Sequence, residues 1–185
     1  MYPQFIQYRA AWLNDDDEII QTKMFSLYNM LLNYWFPATE GYDVCPQWAV
    51  PDTRRIDNSK FKINFVIEHH QHPLLLIEVK PPADFRFDSG RSLAVNQIIQ
   101  RFDEVGPINL HADRLYAISA IGKRWRAWYV PKGSDSKDGQ PVKGIAAESS
   151  LRSARPECWN SDITSDASWE ALQGIVNTIK GYVAE

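Results

Sequence analysis

Glu78-Val79-Lys80 sets an acid and a base two residues apart at the end of an apolar run, Leu74 to Val79 (LLLIEV). Side chains alternate along a strand, so Glu78 and Lys80 share a face, with Leu74 and Leu76 further back on it. A face that turns from apolar to charged belongs to a strand leaving a core. In open α/β sheets such strand ends border the ligand crevice. Upstream lies Pro51-Asp52, the only Pro-Asp pair in the chain. Two carboxylates and a lysine at one sheet edge suit Mg²⁺ or Mn²⁺, hard cations that take carboxylate oxygens and keep several waters. Such a cation polarises a phosphate and lowers the pKa of a bound water. A lysine beside it orients that water or offsets charge growing on the phosphate.

Acid-x-Lys alone is a weak signal, since composition gives about one such triplet by chance. A second, Asp135-Ser136-Lys137, sits in a polar loop with no strand around it. The plain alternative for Glu78 and Lys80 is a strand-end ion pair, and for Pro51-Asp52 a turn. His69-His70-Gln71-His72 has ligand types that suit Zn or Ni. Neighbouring His69 and His70 point to opposite faces, however, so an exposed hairpin turn is the favoured reading. His111 reads as a local hydrogen-bonder. Lys123 to Tyr129 (KRWRAWY) interleaves basic and aromatic residues, with Arg124 and Arg126 on one face and Trp125 on the other. That pattern fits phosphate contacts with aromatic stacking, or a solvated basic face over a buried aromatic one. Arg54 and Arg55 are further phosphate candidates. A small-molecule hydrolase is disfavoured: it needs a nucleophile in a sharp turn, Ser89-Gly90 is a weak candidate for one, and no Gly-x-Ser-x-Gly occurs.

The elements that must position these residues follow from pattern. A helix is predicted from about Asp15 to Trp35, capped by Asn14, with Ile20, Met24, Leu27, Leu31 and Tyr34 as its buried stripe. Tyr42 to Val50 reads as an irregular strand broken by Pro46. Phe61 to Glu68 alternates, with Phe61, Ile63, Phe65 and Ile67 on one face. His69 to Pro73 forms a turn, Leu74 to Val79 a central strand, and Pro81-Pro82 its stop. A second helix runs from about Arg91 to Val105, started by Ser89 or Asp88. Its core stripe is Val95, Ile98, Ile99, Phe102 and Val105. Leu115 to Ala120 and Trp125 to Val130 are strands, Lys132 to Gly144 is a loop, and Ala167 to Val183 is a last helix capped by Asp166 or Ser165. This order predicts an α/β fold with helices on a mixed central sheet. No linker divides the chain, so residues 1–185 are expected to form a single domain. Its core spans about 15–130, followed by a C-terminal loop and helix over 131–185.

Composition agrees. The 185 residues are 44% hydrophobic, which excludes a disordered chain. No apolar run reaches the roughly 18 residues of a membrane span, and Met1 to Asn14 lacks a secretory pattern, so an intracellular protein is expected. The net charge of −3 argues against a bulk electrostatic grip on nucleic acid, though not against a local basic groove. Cys45 and Cys158 match no metal spacing and read as reduced thiols of a cytoplasmic or nuclear protein.

Pro51-Asp52, a hairpin, and then Ile77-Glu78-Val79-Lys80 resembles the PD-(D/E)xK, or restriction-endonuclease-like, nuclease superfamily. The resemblance extends to the element order from about Asp15 to Val130. Pro81-Pro82 and Asp113 to Tyr129 also resemble fungal proteins with such a domain. The resemblance implies a restriction-endonuclease-like core and a nuclease, with DNA as the favoured partner and RNA second. It implies Asp52 and Glu78 as ligands of Mg²⁺ (or Mn²⁺), joined by the Val79 carbonyl. It implies Lys80 on the attacking water and a helical glutamine, Gln97 or alternatively Gln100, as support. Some members add a first-helix glutamate, for which Glu18 and Glu40 are both open. Residues 53–60 intervene between Asp52 and the alternating strand, a departure that leaves Asp57 and Glu68 as rivals for the first acid. The superfamily includes binding-only members, so a non-catalytic nucleic-acid- or protein-binding domain is the alternative.

Overall fold

The computed structural model describes residues 1–13, 20–49, 62–106, 110–142 and 151–183. Asp52, Asp57, Glu18, Arg54 and Arg55 lie outside these residues. The elements run α1 (Gln4–Ala11), α2 (Ile20–Trp35), β1 (Tyr42–Ala49), β2 (Lys62–His69), β3 (His72–Lys80), α3 (Asp88–Val105), β4 (Arg114–Ile121), β5 (Arg124–Pro131), β6 (Gln140–Pro141), β7 (Ser161–Asp162) and α4 (Asp166–Val183). Short 3₁₀ turns fill Ala38–Glu40, Pro82–Arg86, Ser136–Asp138 and Pro156–Trp159.

The seven described strands form one mixed sheet in the order β1-β2-β3-β4-β5-β6, with β7 also on β5. Every described pairing is antiparallel except β3–β4, which is parallel. A parallel pair needs a crossover, and α3 supplies it. The expected α/β architecture, helices on a mixed central sheet, is therefore the one observed. No described helix is long and apolar enough to cross a membrane.

The two faces of the sheet bury different helices. Phe65, Ile67, Leu75, Ile77, Val79, Tyr116, Ile118 and Ala120 pack with α1, α2 and α4. Val66, Leu76, Leu115, Ala117, Trp128 and Val130 pack with Ile98 and Phe102 of α3. β3 is buried from Leu74 to Val79 on both faces, as its unbroken apolar run requires.

Several local expectations are corrected. Leu74 joins the α2/α4 side rather than the face of Leu76, because the register slips by one residue opposite Ile67 and Glu68. Ile63 clusters with Val66, against simple alternation. β1 runs through Pro46, which pairs with Phe65. An edge strand tolerates proline, since its missing N–H costs no interior ladder bond. The hairpin turn narrows to His70 and Gln71, both with positive φ, as two-residue hairpin loops demand. In α2, Tyr34 is exposed, and Tyr28, Leu32 and Trp35 are buried in its place. α3 starts at Asp88, one of the two expected residues and three before Arg91, with Phe87 in the cap position. α4 is capped by Ser165, whose Oγ accepts from Ser168 N–H.

Candidate active site at the end of the central strand

A polar row crosses the α3 face of the sheet. Glu78 is in register with Ser119, and Ser119 with Arg126. Asn64, one step beyond the Phe65–Ile77 pair, extends the row on the other side. Two residues back along the strands the equivalent row is apolar: Val66, Leu76, Ala117 and Trp128. The expected change from apolar to charged is thus a feature of four strands, not of one.

β2 and β3 part at this row. Their ladder ends at Phe65–Ile77, while β2 continues beside β1 to Lys62. Asn64 bridges the opening: its Oδ1 accepts the Val79 N–H at 2.6 Å. That bond satisfies a main-chain donor which the ladder no longer reaches.

Glu78 is 5% exposed. Arg101 of α3 reaches it, with Nε donating to Glu78 Oε1 at 2.6 Å. An Arg101 terminal nitrogen also donates to Glu104 Oε2 at 2.8 Å. Burial pushes the Glu78 carboxyl above its ordinary value, while the hydrogen bond and charge of Arg101 pull the other way. Burial likewise pushes the half-buried Lys80 ammonium down, and the negative charges of Asp84 and Glu78 offset part of this.

The end of β3 is held by the tight β4–β5 turn. Gly122 N–H donates to the Lys80 carbonyl at 2.9 Å. Gly122 has φ +59°, and a Cβ there would lie 2.7 Å from Pro82 Cβ. Only glycine meets both demands. Lys123 and exposed Arg124 stand on this turn. The Arg124 guanidinium lies 4.6 Å from the centroid of the Phe85 ring.

Of the two glutamines, Gln100 is committed to Glu104, donating to its Oε1 at 2.8 Å. Gln97 stands one turn before Arg101 on the same helical face. Its Oε1 is buried with no hydrogen-bond partner among the described residues. A buried acceptor without a donor is costly, so this amide is equipped to receive one.

The structure places several other candidates away from Glu78. Glu68 sits at the hairpin end of β2, facing Pro73, and accepts from Cys45 Sγ. Antiparallel pairing puts that end roughly 15 Å from Glu78. Glu40 pairs with Lys180 of α4. Asp135 caps its own turn, accepting from Lys137 N–H, so the second acid-x-Lys triplet is structural. His72 stacks on His111 with ring centroids 3.3 Å apart. No cluster of three or more potential metal ligands of the His, Cys, Asp and Glu types occurs among the described residues.

Arg126 corrects the basic-face expectation. It is fully buried, its guanidinium 3.9 Å from the Trp128 ring and 4.7 Å from Trp159, and it donates to the Ser153 carbonyl at 2.6 Å. Burial lowers its pKa to about 10. It is therefore part of the core, and Arg124 alone of that pair is exposed. Both cysteines are free thiols.

As donors for a hard cation, the described residues offer the Glu78 carboxylate and the Val79 carbonyl. A magnesium site commonly takes one or two carboxylates with waters. Asp52 and its rival Asp57, the expected sources of a second carboxylate, both lie outside the described residues. Sequence reasoning missed Asn64, Arg101 and Glu104. The available signal was the i, i+4, i+7 run of polar Gln97, Arg101 and Glu104 beside the apolar stripe of α3.

No protein-family model matches the chain, and no curated protein matches it. Among solved structures it is similar to part of one described as the type IIG restriction endonuclease BpuSI, at 16% identity and a TM-score of 0.47. The match covers 90% of this chain and 17% of that one, so the chain spans less than a fifth of that protein's length. A likeness of this size says nothing of activity.

Proposed function

We propose that the chain is a metal-dependent nuclease that hydrolyses phosphodiester bonds, with DNA as the favoured substrate. One observation carries the reading: Glu78 and Lys80 emerge on the α3 face where β2 parts from β3, on the helical side where Gln97 holds an unsatisfied buried acceptor. The resemblance of Pro51-Asp52 and Glu78-Val79-Lys80 to the PD-(D/E)xK motif supports it.

In this reading Asp52, Glu78 and the Val79 carbonyl hold Mg²⁺ or Mn²⁺. The bound cation would polarise the phosphate and lower the pKa of a bound water. Lys80, its pKa depressed by burial, is suited to orient that water and offset the growing phosphate charge. Gln97 accepts from the Lys80 ammonium or from the water it orients. Lys123 and Arg124, at the same end of the sheet, are placed for backbone phosphates, which position a duplex without reading its sequence.

The test is incubation with supercoiled and linear DNA in Mg²⁺, Mn²⁺ and EDTA, alongside Lys80→Ala. Metal-dependent nicking that the variant lacks supports the reading. Cleavage that survives in the variant refutes the assignment.

A second reading is a non-catalytic nucleic-acid-binding domain. It is favoured by the ion pair of Glu78 with Arg101 and by an amide, Asn64, rather than an acid across the sheet from Glu78. Duplex binding that weakens with salt, without cleavage in Mg²⁺, would decide for it.

A further inference from the structure

Arg101 joins two acids that are themselves buried. Its side chain and those of Glu78 and Glu104 are 5%, 6% and 4% exposed. Burial alone would lower the Arg101 pKa, but Glu78 and Glu104 outweigh it and raise it. The triad is one cation between two anions, with a net charge of −1. An arginine is always charged, so Arg101 cannot leave Glu78 by losing a proton. It can leave only by moving its charge to another acceptor, and Glu104 already holds one of its nitrogens. Gln100 fixes the other Glu104 oxygen, which keeps that acceptor in place.

We propose that Arg101 is a resident counter-cation that gates access of a divalent cation to Glu78, with Glu104 as the acceptor that takes the guanidinium when the cation binds. The inference rests on the metal-site reading of Glu78. The physical argument is competition. Glu78 Oε1 cannot give full charge to both a guanidinium 2.6 Å away and a divalent ion. Two such cations on one carboxylate also repel each other in a poorly screened site. Occupancy then depends on how readily Arg101 shifts wholly to Glu104. The gate lowers cation affinity, and binding by a ligand that draws Arg101 away, such as a phosphate diester, raises it.

The test is Mn²⁺ binding, followed by the electron paramagnetic resonance signal of the free ion, with no substrate present. Folding of every variant is checked by circular dichroism melting. Arg101→Gln removes the competing charge and should bind Mn²⁺ about tenfold more tightly than wild type. Arg101→Lys keeps the charge and should stay near wild type, a contrast that a purely structural role would not produce. Should Arg101→Gln fail to fold, Glu104→Gln carries the test. It removes the acid that would receive the guanidinium and should weaken Mn²⁺ binding several-fold. Binding that Glu78→Gln weakens but Arg101→Gln and Glu104→Gln leave unchanged overturns the gate alone. Binding that is indifferent to Glu78→Gln, or absent in every variant, overturns the metal-site reading and the gate with it.

Discussion

Arg101 Nε and Glu78 Oε1 meet at 2.6 Å, both residues buried, and so tie the middle of α3 to the end of the central strand. The pair fixes where Glu78 points, and it makes the crossover helix part of the site. Its energetics are asymmetric. A buried pair adds little over well-packed apolar residues, but removing one partner leaves an uncompensated charge. Arg101→Gln should therefore cost about 3–5 kcal/mol. Adding Glu78→Gln should recover a large part of that loss. Urea denaturation of the two single variants and the double variant measures the coupling, and strict additivity would refute it.

Gly90 bears on the same helix. A Cβ at Gly90 would lie 2.2 Å from the Asp84 carbonyl oxygen, a contact with rigid main chain. The first turn of α3 can pack on Pro82–Arg86 only because that Cβ is missing. Gly90→Ala should push the start of α3 outward and cost about 2–4 kcal/mol. Thermal melting checks the loss. An unchanged melting temperature would contradict it.

The histidines at the hairpin predict a pH dependence. His72 has its pKa lowered, first by burial and then by His111 and His70, with Glu68 acting in the opposite direction. A folded pKa below the unfolded one means that the unfolded chain binds more protons in between. The stability so contributed is present above the ordinary histidine value of about 6.5 and is lost as pH falls through the lowered folded value. Melting temperatures from about pH 8 to pH 5 should fall, and His111→Gln should flatten the fall. An equal fall in the variant would show that the stack is irrelevant.

The first acid can be assigned by cleavage. Asp52→Asn should lower metal-dependent cleavage by about 100-fold or more, in line with loss of a ligand to the cation that polarises the phosphate. Glu68→Gln should leave it unchanged, because Glu68 stands at the far end of β2. Loss on Asp57→Asn with Asp52→Asn intact would transfer the role to Asp57.

Much of this fold was legible because periodicity reports burial. LLLIEV has apolar residues on both faces, and β3 is accordingly buried on both. Leu172, Ile175, Val176 and Ile179 of α4, spaced by three and four residues, are likewise buried on one face. The weakest signals were lost. α1 exposes Phe5 and Tyr8, so its aromatic residues do not mark its inner face. The strands β6 and β7 have two residues each, too few for any alternation to register. At the site, the shared face of Glu78 and Lys80 at the strand end followed from strand alternation, whereas Gln97 came only with the family resemblance. Arg101 was not legible, because an arginine between Ile98 and Phe102 reads as solvated unless a partner across the sheet is known. Arg126 was misread for the same reason: its cover comes from Trp159 and Ser153, distant in sequence.

The central claim is that Glu78 and Lys80 carry out metal-dependent cleavage of phosphodiester bonds. The most direct measurement is the single-turnover cleavage rate of a labelled duplex in Mg²⁺ for wild type, Glu78→Gln and Lys80→Ala, each shown by melting to be folded. We predict cleavage that EDTA abolishes and that both variants lose by about 100-fold or more. Wild-type rates in either folded variant would contradict the account.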